Sequence, residues 1–270
     1  MPITSFKQFL EFLTFSFLMP FRLGWSIAGI LVFGAVVLII MFLFGYSVVS
    51  IEKIVSGNMV KAYGSSFLVD KASDFSIRFI YEFIWQLWAG YIFVVALVVD
   101  MGKKPTIRTT NELIKKHYKA ICSLAMILSV LFVLLPTASV SLGYRTEIYY
   151  LHYSMMYAIG VFFVFSLIEI IQKDKTFFDA VAGSILRLKG RYVFTFVVLL
   201  VLFYSLNNMH NYFFSIYYAY FVDAVHYSRK MAYVQGALKA VADIIIISIY
   251  SGAVIYLYKI YSSQDLKKEA

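Results

Sequence analysis

Two pairs of charged residues stand where long apolar stretches begin. Arg78 and Glu82 are four residues apart at the head of the stretch 77–99, and Lys239 and Asp243 repeat that spacing at the head of 236–258. A base and an acid four apart share one face of a helix. A charge at the centre of a membrane helix costs about 2.5–3.5 kcal/mol, so such residues face a bundle interior or water. Arg78, Glu82, Lys239 and Asp243 are therefore candidates for a polar cavity. The competing reading puts all four at the membrane interface, with the bases snorkelling and the acids paired locally. Glu169 is a candidate buried carboxylate, either proton-linked or marking the exit of its helix from the bilayer.

Other chemistry finds little support. His117, His152, His210 and His226 are scattered and form neither HxxxH nor HExxH, so no metal site is expected. Cys122 is alone inside an apolar run and reads as a small buried hydrophobe. There is no GxSxG, P-loop or DxD, so we expect no catalytic residues, no cofactor and no enzymatic activity.

The elements that must position these residues are membrane helices. The chain has 270 residues, 61% hydrophobic and 14% charged, against roughly 25% charged in soluble domains. Charge-free or charge-poor stretches predict six spans, at about 23–51, 77–99, 120–144, 148–171, 192–206 and 236–258. Three amphipathic basic segments, starting near 3, 106 and 176, predict helices lying in the interface. Lys115, Lys116, Lys119, Arg187, Lys189 and Arg191 form a basic collar where the second and third of these turn into the bilayer. The expected fold is all-α: one polytopic domain over 1–270, a six-helix bundle with three interfacial helices. A threefold repeat would have units at about 3–99, 106–171 and 176–258, with a polar, mobile tail at 259–270. Pro20 is expected to break the first helix and Pro136 to kink the third span.

Of the 24 Lys and Arg residues, 16 fall on one side of the six-span plan, which makes both termini cytoplasmic. The N-terminal apolar part is far longer than the 7–15 residues of a signal-peptide core, so the first span is expected to stay in the mature protein. The net charge of +9 flanks apolar runs instead of forming a separate domain, which points to membrane lipids and away from nucleic acid. Further partners would be a second copy or other membrane subunits.

The stretch FFVFSLIEIIQKDKTFFDAVAGSILRLKGRYVFTF, through Ala180, Ser184, Leu188, Lys189 and Gly190, resembles the YciC-like proteins. It is also similar to the membrane domain attached to some bacterial glycerophosphodiester phosphodiesterases. The ending GAVIYLYKIY resembles the end of YciC-like chains. The resemblance implies a polytopic inner-membrane protein; it does not imply phosphodiesterase activity, since the soluble catalytic barrel of those fusions is missing here. The expected role is envelope homeostasis, or transport or sensing of a lipid-like or small molecule. The alternative is an accessory subunit of a larger transport or secretion complex.

Overall fold

The computed structural model describes residues 6–24, 28–32, 34, 36, 67–141, 158–221 and 229–269. Among them regular structure is helical: α1 (Phe6–Arg22), α2 (Phe67–Asp100), α3 (Ile107–Ser141), α4 (Ser166–Lys173), α5 (Phe177–Leu188), α6 (Tyr192–Phe221) and α7 (Arg229–Glu269). Short helical stretches also cover 28–32 and 158–162. Three helical segments are long and apolar enough to cross a membrane: Glu82–Asp100, Ile107–Val133 and Val241–Asp265. A shorter apolar helix covers Tyr192–Leu206. Most of the expected first span and the Tyr-rich start of the expected fourth lie outside the described residues. The remainder of that fourth span is broken by a turn at 163–165, and α4 follows it.

Helix ends follow from local chemistry. α2 stops in a Schellman turn: Gly102 takes φ +70°, its N–H donates to Val99 O (3.0 Å), and Lys103 N–H donates to Val98 O (3.1 Å). α3 opens four residues later with a reciprocal cap between Thr106 and Thr109, each side-chain oxygen accepting from the other's backbone N–H at 3.0 and 3.1 Å. α5 opens on Thr176, whose hydroxyl accepts from Asp179 N–H. It closes at Lys189 and Gly190 (φ +74°), and α6 starts at Tyr192.

Several elements run further than the sequence predicted. The amphipathic segment at 106 and the span after it are one unbroken 35-residue helix, α3, which continues through Pro136. α6 passes through Asn207, Asn208, His210 and Asn211 to Phe221, beyond the end expected near Leu206. The tail is the last turns of the 41-residue α7, not a loose extension. α1 continues past Pro20 to Arg22 and stops at Gly24 (φ +53°). Proline in a last turn removes one N–H bond while the remaining turns stand.

α7 is the spine, packing against α1, α2 and α6, while α2 packs on α3 and α4 packs on α5. Lys259 of α7 and Asp100 of α2 pair at one end, so these helices run parallel and α3 runs back between 107 and 141. α1 buries Phe12, Ser16, Met19 and Pro20, and its Phe12, Ser16 and Met19 meet α7, with the Phe12 ring edge-on to Tyr256 (5.8 Å). Its Phe6, Phe9, Leu10, Phe17 and Phe21 face outward, an apolar surface suited to acyl chains. Cys122 is also exposed, on the outer side of α3, where burial was expected.

The α1–α7 contact depends on Gly252. A Cβ there would lie 3.0 Å from Ser16 Cα and 3.1 Å from Met19 Cβ, and backbone cannot swing aside as a side-chain tip can. We predict that Gly252→Val separates α1 from α7 and costs about 1–3 kcal/mol, the usual penalty of overpacking. Thermal unfolding in detergent should show a lowered midpoint; an unchanged midpoint would mean that α1 yields without loss.

Candidate functional site

α2, α3, α6, α7 and the segment around 160–167 line a half-open cavity of about 640 Å³. From α2 it is lined by Glu82, Trp85, Gln86, Ala89, Gly90 and Phe93. From α7 it is lined by Asp243, Ile246, Ile247, Tyr250, Ser251 and Val254. The two sets have identical spacing, one stripe of a helix followed for three turns. Ile121, Leu124, Ala125, Leu128 and Phe132 of α3, Phe203 of α6, and Gly160, Phe163, Val164 and Leu167 complete a largely apolar wall.

Glu82 and Asp243 therefore open onto one space. Each is the first lining residue of its helix, about 27 Å and 24 Å along the axis from Asp100 and Lys259, which pair at the opposite end. The Gln86 amide donates to Glu82 Oε1 at 2.8 Å. The Ser251 hydroxyl is spent on Ile247 O (2.7 Å), which removes its proton from the cavity. Trp85 packs on Trp88 with ring centroids 4.9 Å apart. Two glycines keep the space open: a Cβ on Gly90 or Gly160 would meet no atom within 4 Å. The backbones of Arg78 and Lys239 stand one turn before the acids in α2 and α7; their side chains lie outside the described residues.

Glu169 sits elsewhere, at the end of the bundle that carries the Asp100–Lys259 pair. Its side chain is 0% exposed. Oε1 accepts from the Tyr258 hydroxyl (2.7 Å) and from Arg187 Nε (3.1 Å), with Lys173 Nζ at 3.3 Å. Oε2 pairs with Lys175 Nζ at 2.8 Å. Burial pushes this carboxyl up, but the bonds from Lys175 and Tyr258 and the charges of Lys173 and Arg187 outweigh it and hold it at about 2. Glu169 is thus an ionised structural anchor and does not exchange its proton near neutral pH.

The same cluster takes in two of the three collar residues at the α5–α6 junction, Arg187 and Arg191. Arg187 donates to Ser262 Oγ (2.8 Å), and Arg191 Nη2 pairs with Asp265 at 2.7 Å. Each guanidinium lies over a tyrosine of α7, Arg187 over Tyr258 (4.5 Å) and Arg191 over Tyr261 (4.9 Å). With side chains 14% and 12% exposed, these arginines point into the fold and not outward. Lys115, Lys119 and Lys189 stay exposed, and Lys116 bridges to Asp174 at 2.8 Å. Sequence reading missed Tyr258, Tyr261, Ser262 and Asp265, although their spacing marks one helical face.

The residues that carry the family resemblance have local structural duties. Ala180, Ser184 and Leu188 are the buried stripe of α5, and Ser184 Oγ accepts from Phe165 N–H at 3.2 Å. Gly183 lets the Glu169–Lys175 pair come close: a Cβ there would lie 2.8 Å from Lys175 Nζ and 3.2 Å from Glu169 Oε2.

Because its folded-state pKa is depressed, Glu169 contributes stability that is complete above its ordinary value of 4.5 and is lost as pH falls toward about 2. We predict that Glu169→Gln lowers the unfolding midpoint at pH 7 and flattens the pH dependence between those values. Thermal unfolding of both proteins across that range checks it; parallel pH curves would count against the assignment. No family model, no curated protein and no solved structure matches the chain.

Proposed function

We propose that this chain is a multi-pass membrane protein, non-enzymatic, that binds a lipid-like molecule within its helix bundle in the course of moving or sensing it. The observation that carries this reading is the cavity between α2, α3 and α7: apolar along most of its length, acidic at one end, and inside the 300–1,000 Å³ range of ligand pockets. The outward phenylalanines of α1 and the exposed Phe178 and Leu186 of α5 support a setting among acyl chains. The end bearing Lys103, Lys104, Lys115, Lys119 and Lys189 would face the cytoplasm at an inner membrane. The YciC-like resemblance agrees with that setting.

Native mass spectrometry of protein purified in a maltoside detergent tests the binding role. We expect a retained small-molecule adduct in the wild type and its loss in Gly90→Leu. That substitution grows into open space and replaces a helix-interior glycine, so stability should hold or rise by up to about 1 kcal/mol. An adduct that survives Gly90→Leu, or its absence from the wild type, would overturn the reading. For orientation, a fluorescent protein fused after Ala270 should fluoresce and a periplasm-dependent phosphatase there should be inactive; the reverse pattern would place the basic end outside.

A further inference from the structure

The proposed binding role leaves open what kind of molecule the cavity takes, and the cavity's own chemistry narrows it. Among the described residues that line it, the charged ones are Glu82 and Asp243, and both are acidic. They occupy the same register position on two parallel helices, so the acidic character is confined to one end. From Glu82 to Phe93 the α2 wall runs eleven residues, about 16 Å of helix. Over that length the facing α3 residues are aliphatic or aromatic. Trp85 lies on the Glu82 stripe one turn inward, and an indole face attracts a cation where a carboxylate does. Gly90, toward the Phe93 end of the α2 wall, and Gly160 withhold side chains from the space where a hydrocarbon chain would lie.

We infer that the cavity takes an amphiphilic organic cation, its ammonium or guanidinium head at the Glu82 and Asp243 end and its hydrocarbon chain along the wall toward Phe93. The inference rests on the binding role proposed above and adds a sign of charge and an orientation to it. A single-chain molecule of about twelve carbons matches the wall. Anionic amphiphiles are disfavoured by like-charge repulsion at the head position. Neutral ones forgo the charge-assisted hydrogen bonds that a donor cation makes to carboxylates.

The test uses the full chain in a neutral maltoside detergent, titrated with dodecylammonium, dodecyl sulfate and dodecylphosphocholine below their micellar concentrations. Binding is followed by tryptophan fluorescence and calorimetry. We expect dodecylammonium to bind at least about tenfold more tightly than either of the others, a factor that corresponds to 1.4 kcal/mol. Glu82→Gln combined with Asp243→Asn should remove that preference, and Gly90→Leu should weaken the cation regardless of the acids. Thermal unfolding of each variant establishes that it is folded. Similar affinities for all three headgroups, all lost in Gly90→Leu, would overturn the charge inference and leave the binding role standing. Tighter binding of the sulfate or phosphocholine probe would also overturn it, because Arg78 and Lys239, one turn earlier, would then govern the site. Failure of every probe to bind would overturn both.

Discussion

A carboxylate with no exposure to solvent cannot stay ionised without cations at hand, and Glu169 draws the chain together to obtain them. Its partners come from three places in the sequence: Lys173 and Lys175 beside it, Arg187 at the end of α5, and Tyr258 on α7. Arg187 and Arg191 then reach Ser262 and Asp265, one and two turns further along α7. A buried ion pair gains little over well-packed apolar residues, but losing one partner leaves a stranded charge. The network therefore works mainly as a specification: only one placement of α5 against α7 satisfies all of these groups together. α7 carries the consequence to the other end, because the same rigid helix lines the cavity from Asp243 to Val254.

The parts of this fold that the sequence made legible were those written in spacing and in backbone breakers. The four-residue intervals at 78/82 and 239/243 mark the heads of two apolar stretches that lie inside longer helices, and Glu82 and Asp243 line one cavity. The turn between α5 and α6 falls at the basic residues 187–191 because Gly190 is there to take a positive φ. A similar turn was expected after Lys119 and does not form, since α3 contains no glycine and nothing stops it. The same reasoning covers the asparagines of α6 and the polar end of α7. Polarity alone does not end a helix; a glycine or a proline near a terminus can.

What sequence could not show was pairing between distant elements. Asp265 reads as one charge in a polar tail until α5 is seen beside it. Gly252 reads as a small residue in a span until Ser16 is found against it, more than two hundred residues earlier. Arg187 at the end of α5 and Arg191 in the turn before α6 look like lipid-facing bases in the sequence, yet the tyrosines of α7 cover them. Whether a basic residue at a helix end meets lipid or protein depends on its neighbours in space, and periodicity does not encode them.

The central place of α7 bears on how the protein is made. α1, α2 and α6 all pack on a helix that is synthesised after them, and the α1–α7 contacts join residues about 245 positions apart, as in the Tyr256–Glu11 bond. Contacts of such long range form slowly because the intervening chain must be closed first. Ribosomes add roughly 5–20 residues per second, so the glycine-fitted face of α1 waits many seconds for its partner. The helices made early must therefore persist as an incomplete bundle, with the carboxylate of Glu169 short of its α7 tyrosine, and chains arrested before α7 would leave the α7-facing sides of α1, α2 and α6 uncovered.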